Sequence, residues 1–356
     1  MNQSLNKFEP MALLERMLED MGGQEPLYLP TEFWRAASGR IIGDLKAGGF
    51  ENFRRLASSR IFFVPSYGPP GNMLAQADVG RLEAELLSDA EAGSKKHRTF
   101  MELLDGTSWA VADYRVFLAG DRRDLPPDLS RVSESGGGNP PDQFSIEGRA
   151  FSRSMLNYLH GFVFLKQELG DAGIRSVLEI GGGFGTLGEI LHQCGGGYSY
   201  VDVDIPPTSA VASYYLSQIP GLRFRDYFQT RAEEVIAMPS PGEQMVLCPW
   251  QLPRLQGNVD LVWNFISFQE MEPHVVRFYL ENARRLGARH VLLRNLREGK
   301  QKKMEGAAFG VETPILGSDY DAFLPGYRLV ATNVFPFGYR TVDGFHSELR
   351  LYERVG

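Results

Sequence analysis

Cysteine is almost missing from this chain: Cys194 and Cys248 are the only two in 356 residues, and neither sits in a C-x-x-C pair. A disulfide framework and a structural zinc site are therefore not expected, and both thiols read as core or subsurface residues. No stretch approaches the roughly 18 uninterrupted apolar residues of a membrane span. The start, MNQSLNKFEP, lacks a charged head followed by an apolar segment, so the expected compartment is the cytoplasm, with no membrane partner. Positive charge is also short. With 37 Lys and Arg against 44 Asp and Glu, the net charge is -7. No basic stripe stands out to neutralise phosphates, which argues against a nucleic-acid partner. Arg297 to Lys303 reads as a short basic cluster on a solvated surface. Internal repeats and long low-complexity tracts are absent.

Apolar residues, by contrast, are plentiful: 43% hydrophobic and 12% aromatic, enough to fill real cores. The length suits two domains on a prior of roughly 150 residues each. Helical signals dominate the first 120 residues. Leu13, Leu14, Met17, Leu18 and Met21 share one face, as do Phe33, Trp34, Ala37, Ile41 and Leu45 after a start marked by Pro30 and an N-cap at Thr31. Ser66 to Asn72 is turn material, and a further helix is expected from Gly80 to Leu87. Asp121 to Pro141 is rich in Pro, Gly, Ser and charge and reads as a linker or a loop laid over a site. The expected division is a mainly helical region at 1–140, serving as substrate cover or dimer contact, and an α/β domain at 141–356.

After an apolar helix beginning near Phe151, short apolar runs alternate with helical patterns, which implies a parallel sheet covered on both faces. Expected strands are Ser176 to Ile180, Tyr198 to Val203, Met245 to Leu247, Asp260 to Phe265 and His290 to Leu293. A last pair, Tyr327 to Val334 and Phe345 to Tyr352, flanks a turn at Asp343-Gly344 and is expected as an antiparallel hairpin at a sheet edge.

The densest signal is SVLEIGGGFGTLGEIL, residues 176 to 191, a buried strand, a glycine loop and a helix. It fits two templates. Gly183, Gly185 and Gly188 spell G-x-G-x-x-G, the fingerprint of a dinucleotide site, whereas Glu179, Gly181, Gly183 and Gly185 spell the E-x-G-x-G-x-G of an S-adenosylmethionine site. Charge separates them. Glu179 beside the loop would repel a pyrophosphate at the helix N-terminus but suits a sulfonium and an ammonium group. The second strand ends in Asp202 and Asp204. Asp204 lies at its carboxyl end, where ligands of open α/β sheets sit, and is the better partner for ribose hydroxyls.

Together, EIGGGFGTLGEIL, YVDVDIPP followed by YYL, and WNFISFQEM resemble the sugar O-methyltransferases of bacterial polysaccharide and glycosylated natural-product gene clusters. The resemblance runs from about residue 10 onward, more loosely through GGGNPP near residue 138. It implies a Rossmann-like class I methyltransferase sheet with a C-terminal antiparallel strand, S-adenosyl-L-methionine as cofactor, and a sugar hydroxyl as acceptor. It also implies Glu179, Gly181, Gly182, Gly183, Gly185 and Asp204 as cofactor contacts.

On the acceptor side, a sugar hydroxyl needs a base at the sheet's carboxyl edge, and NFISFQEMEPH after the fourth strand reaches it. Glu270 is the first candidate for the catalytic base and His274 the second, with Glu272 favouring the helix N-terminus. Asn264 is a candidate cofactor contact, and Ser267, His160 and His346 are candidate substrate contacts. Trp34, Phe62, Phe63, Tyr67 and Trp109 are aromatics that could stack on a sugar. No compact D-x-D-x-D or H-x-x-x-H set appears, so no metal is expected. The competing readings are an NAD(P)-dependent oxidoreductase, an O-methyltransferase acting on a non-sugar natural product, and a non-catalytic protein that keeps the fold. A homodimer remains open.

Overall fold

A computed structural model describes residues 8–58, 76–303, 310–341 and 343–356. The turn expected at Ser66 to Asn72, and with it Phe62, Phe63 and Tyr67, lies outside the described residues.

Before residue 121 the described elements are helical: α1 (Pro10–Met21), α2 (Glu32–Gly48), α3 (Gln76–Leu86), α4 (Lys95–Leu104) and α5 (Thr107–Gly120), with short 3-10 turns between. The stripes are those of the sequence, with Leu13, Leu14 and Met17 of α1 and Phe33, Ala37, Ile41 and Leu45 of α2 buried. Thr31 does stand at the N-cap of α2, but its side chain caps nothing. Its hydroxyl donates instead to the carbonyl of Glu270, at 3.3 Å. A small hairpin, β1 (Phe144–Ile146) and β2 (Arg149–Phe151), leads into α6 (Arg153–Leu169), which is capped by the Ser152 hydroxyl accepting from the Met155 amide.

The rest alternates: β3 (Ser176–Ile180), α7 (Thr186–Gln193), β4 (Ser199–Val203), α8 (Thr208–Ser217), β5 (Arg223–Arg225), β6 (Glu243–Leu247), β7 (Leu261–Phe265), α9 (Pro273–Arg285), β8 (His290–Leu296), β9 (Tyr327–Asn333) and β10 (His346–Arg354). The sheet order is β9-β10-β8-β7-β3-β4-β6-β5, with Tyr339–Arg340 pairing on β10. Only β10 runs antiparallel to its long neighbours β8 and β9. This is the expected Rossmann-like sheet, open and mostly parallel, with an antiparallel strand formed by the C-terminal segment. The chain builds outward from β3 through β4 and β6, then returns to the other side of β3 for β7 and β8. The switch leaves a crevice at the carboxyl ends of β3 and β7.

Two details depart from the sequence reading. The last two strands form the expected antiparallel pair at the sheet edge, but β10 does not alternate in and out: inserted between β8 and the partly exposed edge strand β9, it is buried from Ser347 to Tyr352. The charge this buries is met locally, by Arg350 bonding to Glu348 at 2.9 Å and Asp321 at 3.0 Å. At the other edge, β5 is only the tripeptide Arg223–Arg225, too short to show a period.

Alternation along the strands splits the core in two. Val177, Tyr200, Val246, Leu261 and Trp263 face α6, α7 and α8 and share one apolar cluster with Leu13, Met17, Ile41 and Phe53 of the helical region. Leu178, Val201, Met245, Val262 and Val291 face α9. Asp121 to Pro141 does not lie across the crevice. The amides of Ser133 and Ser135 bond to Gln193 and Glu189 of α7, and Glu134 pairs with the buried Arg54 at 3.1 Å, which docks the segment on the helix. Among the described residues no helix is long and apolar enough to cross a membrane.

Candidate functional site

The crevice holds a cavity of about 330 Å³. Its floor comes from Gly181, Gly182, Gly183 and Phe184 after β3, from Val203, Asp204 and Ile205 at the end of β4, and from Phe265, Ile266 and Ser267 at the end of β7. Tyr158 and Ser154 of α6 close one side. The roof is the approach to α2, with Leu27, Leu29, Pro30, Thr31, Phe33 and Trp34, joined by Lys300 from beyond β8.

Each glycine has a distinct task. A Cβ on Gly182 would lie 2.6 Å from Asp202 Oδ1 and 2.8 Å from Glu179 Oε2, so only glycine lets the loop rest on those two carboxylates. Gly183, at φ +64°, has no heavy atom within 4 Å of a Cβ and leaves its space to the cavity. Gly185 is the N-cap of α7 and does not line the cavity. A Cβ on Gly188 would meet Gln244 Oε1 at 2.6 Å and Tyr200 Cε1 at 2.9 Å, which makes this residue a close helix-to-strand contact.

Of the acids, Asp204 is on the cavity wall, where its carboxylate accepts from the amides of Gly183 at 3.1 Å and Ile205 at 2.7 Å. Glu179 and Asp202 lie beneath the loop, both fully buried. Glu179 accepts from the hydroxyls of Tyr158 at 2.8 Å and Tyr200 at 2.5 Å. Asp202 accepts from the Gly182 amide at 3.1 Å. Burial, opposed by those phenol bonds, pushes the Glu179 carboxyl up to about 7. Burial likewise pushes Asp204 up to about 7, and Asp202 rises well above the carboxylate range through burial and its acidic neighbours.

Glu270 lines the cavity, and its carboxylate is paired with Lys300, whose ammonium also lies 4.2 Å from the centre of the Phe33 ring. Ser267 lines the cavity too, but its hydroxyl is engaged: it donates to the Ile180 carbonyl at 3.1 Å and accepts from Asn264 Nδ2 at 2.5 Å. Asn264 itself does not reach the cavity. It also donates to Ile180 O at 2.8 Å and accepts from Asn295, so it braces the end of β7 against β3. The brace holds a strained residue. Ile266, β-branched and at φ +72°, lies in a region that such side chains rarely occupy, and it forms part of the cavity wall.

The histidines are elsewhere. His274 is exposed at the start of α9 and does not line the cavity. His160 is buried, with Nε2 2.8 Å from the Asp113 carbonyl and its ring 6.3 Å from Phe337. Burial drives it down to about 4 and keeps it neutral, a packed core residue rather than a cavity contact. His346 bonds to Glu298 at 2.6 Å, outside the cavity. Glu272 is the N-cap residue of α9, and its carboxylate accepts from the amides of Glu312 and Thr313. Trp109 is exposed away from the cavity, which leaves Trp34 as the tryptophan in its wall.

Sequence reasoning missed Tyr158 and Lys300. Tyr158 sits on an α6 so evenly buried that no stripe singled it out. Lys300 belongs to the run set aside as solvated surface, and only the ion pair with Glu270 turns it inward.

No protein-family model and no curated protein matches the chain. Among solved structures it is similar to magnesium protoporphyrin IX methyltransferase from Synechocystis PCC 6803 with bound S-adenosylmethionine, at 13% identity over 56% of this chain and 81% of that one, with a TM-score of 0.37. A glycopeptide N-methyltransferase complexed with S-adenosylmethionine gives 12% identity, 55% and 92% coverage and a TM-score of 0.35. A methyltransferase dependent on S-adenosylmethionine from Clostridium acetobutylicum gives 11%, 57%, 94% and 0.37. Such values assign neither a residue role nor a substrate.

Proposed function

We propose that the chain is an S-adenosylmethionine-dependent O-methyltransferase that acts on a hydroxyl of a sugar or a glycosylated small molecule. One observation carries the reading. The glycine loop rests on the carboxylates of Glu179 and Asp202 with Asp204 beside it, and among the described residues none of the three accepts from a basic side chain. A pyrophosphate would meet negative charge there, whereas a ligand carrying a sulfonium and an ammonium is favoured. The residues fit such a ligand. Gly183 leaves its side-chain space open, and Asp204 lines the cavity with each carboxylate oxygen bonded to a single amide, which leaves acceptor capacity for ribose hydroxyls.

The bound cofactor supplies a methyl group on a cationic sulfur. Glu270 is the base in reach of an acceptor in the roofed half of the cavity. Its carboxylate would take the proton of the acceptor hydroxyl as that oxygen receives the methyl group the cofactor would supply. Lys300 holds that carboxylate in place. Phe33 and Trp34, with rings 5.8 Å apart and nearly perpendicular, offer an apolar face beside polar groups, the combination that binds the two sides of a sugar ring.

Calorimetric titration with S-adenosylmethionine, S-adenosylhomocysteine and NAD tests the cofactor. Binding of NAD alone would replace this reading with the oxidoreductase one. Transfer of labelled methyl to a panel of free sugars, nucleotide sugars and non-sugar hydroxyl compounds tests the acceptor. Labelling confined to the non-sugar compounds would remove the sugar from the assignment.

A further inference from the structure

Glu179 and Asp202 face each other in the register of adjacent parallel strands, and both side chains meet Gly182. Asp204, two residues on, completes a set of three carboxylates around three consecutive glycines. Their donors are all neutral: the hydroxyls of Tyr158 and Tyr200 and the amides of Gly182, Gly183 and Ile205. Asp202 Oδ2, fully buried, has no hydrogen-bond partner among the described residues. Among the described residues lining the cavity, the one cation, Lys300, is paired. Tyr279 of α9 and Cys248 beyond β6 are neutral groups that interact with Asp204, and Glu270 adds a further negative charge, already paired with Lys300.

Three such carboxylates, buried together on neutral donors while the cavity's Lys300 is paired with Glu270, resist simultaneous ionisation at neutral pH. We infer that binding of the cationic cofactor drives a proton off the Glu179, Asp202 and Asp204 set, so that the cavity discriminates by charge between a sulfonium ligand and its neutral thioether counterpart. The inference rests on the cofactor reading above and adds to it how the site is regulated and how it favours substrate over product. The raised carboxyls of Glu179 and Asp204 agree in direction. Sharing a proton is the stable arrangement of the empty site. A positive ligand lowers all three and releases what they held.

The test is calorimetry of wild-type protein with S-adenosylmethionine and S-adenosylhomocysteine near pH 6.5, below the α-amino range of either ligand, in two buffers of different ionisation enthalpy. The expected result is release of roughly half to one proton with S-adenosylmethionine and less with S-adenosylhomocysteine. Affinity for the former should rise with pH by up to about tenfold per unit per proton released. Asp202→Asn should still bind and release fewer protons. Should that variant not fold, Glu179→Gln and the wild-type comparison decide the matter alone. Binding with equal heats in both buffers overturns the proton linkage and leaves the cofactor reading standing. Binding of neither sulfur ligand overturns both.

Discussion

Lys300 and Glu270 form an ion pair at the cavity wall, and the same ammonium rests on the ring of Phe33, so one side chain ties the ends of β7 and β8 to the start of α2. The contact joins the candidate base to the roof above it. Its two functions, holding a carboxylate and holding a cover, separate under mutation.

Glu270→Gln keeps the shape and removes the base. Cofactor affinity should stay within about twofold, while turnover falls by roughly 100- to 10,000-fold, the usual worth of a positioned general base. Calorimetry beside single-turnover methyl transfer reads both. Wild-type turnover would remove Glu270 from the chemistry.

Lys300→Met preserves the alkyl stem over Phe33 and deletes the charge. With its carboxylate no longer held, Glu270 becomes a worse-placed base, so single-turnover methyl transfer should slow by roughly tenfold while cofactor affinity stays within about twofold. Unchanged transfer would mean that Lys300 serves the roof alone.

Asp204→Ala should weaken cofactor binding at least tenfold, as expected for loss of a charged hydrogen-bond acceptor worth about 1.5–3 kcal/mol. Asp202→Asn, which keeps the buried shape and leaves the cavity wall intact, should cost less affinity than Asp204→Ala at the same pH. Equal losses in the two titrations would undo the assignment of Asp204 to the ribose.

Gly188→Ala presses a methyl group into Gln244, Leu216 and Tyr200. Overpacking of this kind costs about 1–3 kcal/mol. Denaturant unfolding should show that loss, with cofactor affinity of the folded protein nearly unchanged.

Buried acids also set how the empty protein responds to pH. Glu179 and Glu189 are both pushed up to about 7 by burial. Between the unfolded carboxyl range and pH 7 the folded state therefore holds protons that the unfolded chain has lost. Stability from these groups is complete below about pH 4.5 and is lost as pH rises through 7, at up to about 1.4 kcal/mol per pH unit for each group. The melting temperature of ligand-free protein should fall from pH 5 to pH 8. A flat profile would show the two groups to be ionised throughout.

Much of this was legible in the sequence, for reasons that differ by element. Strands β3, β4, β7 and β8 are short, mainly apolar segments between breakers, and glycine density marked the loop. β10 lies in the expected edge hairpin, but its alternation was misleading, because Glu348 and Arg350 are buried as a mutual pair rather than turned to solvent. At the site, Asp204 and Glu270 followed from position along their strands and reach the cavity. Asn264 shares their strand-end position, yet its side chain turns to backbone and braces. His160, His274 and His346 were chosen by residue type, and type says nothing about which way a side chain faces. Lys300 was hidden because a basic run in sequence carries no record of a partner thirty positions away.

The cavity's roof and floor come from stretches of chain separated by up to 239 residues at the Thr31 to Glu270 contact. On the proposed function, acceptor preference and methyl chemistry are thus written in different parts of the chain. Replacement of the short passage from Leu27 to Trp34 alters the roof while leaving Glu179, Asp202, Asp204, the glycine loop and the sheet in place; within it, Thr31 and Phe33 also bear on the Glu270–Lys300 pair. A change of diet needs no change of engine, and a library confined to those eight positions is where altered acceptors should first be found.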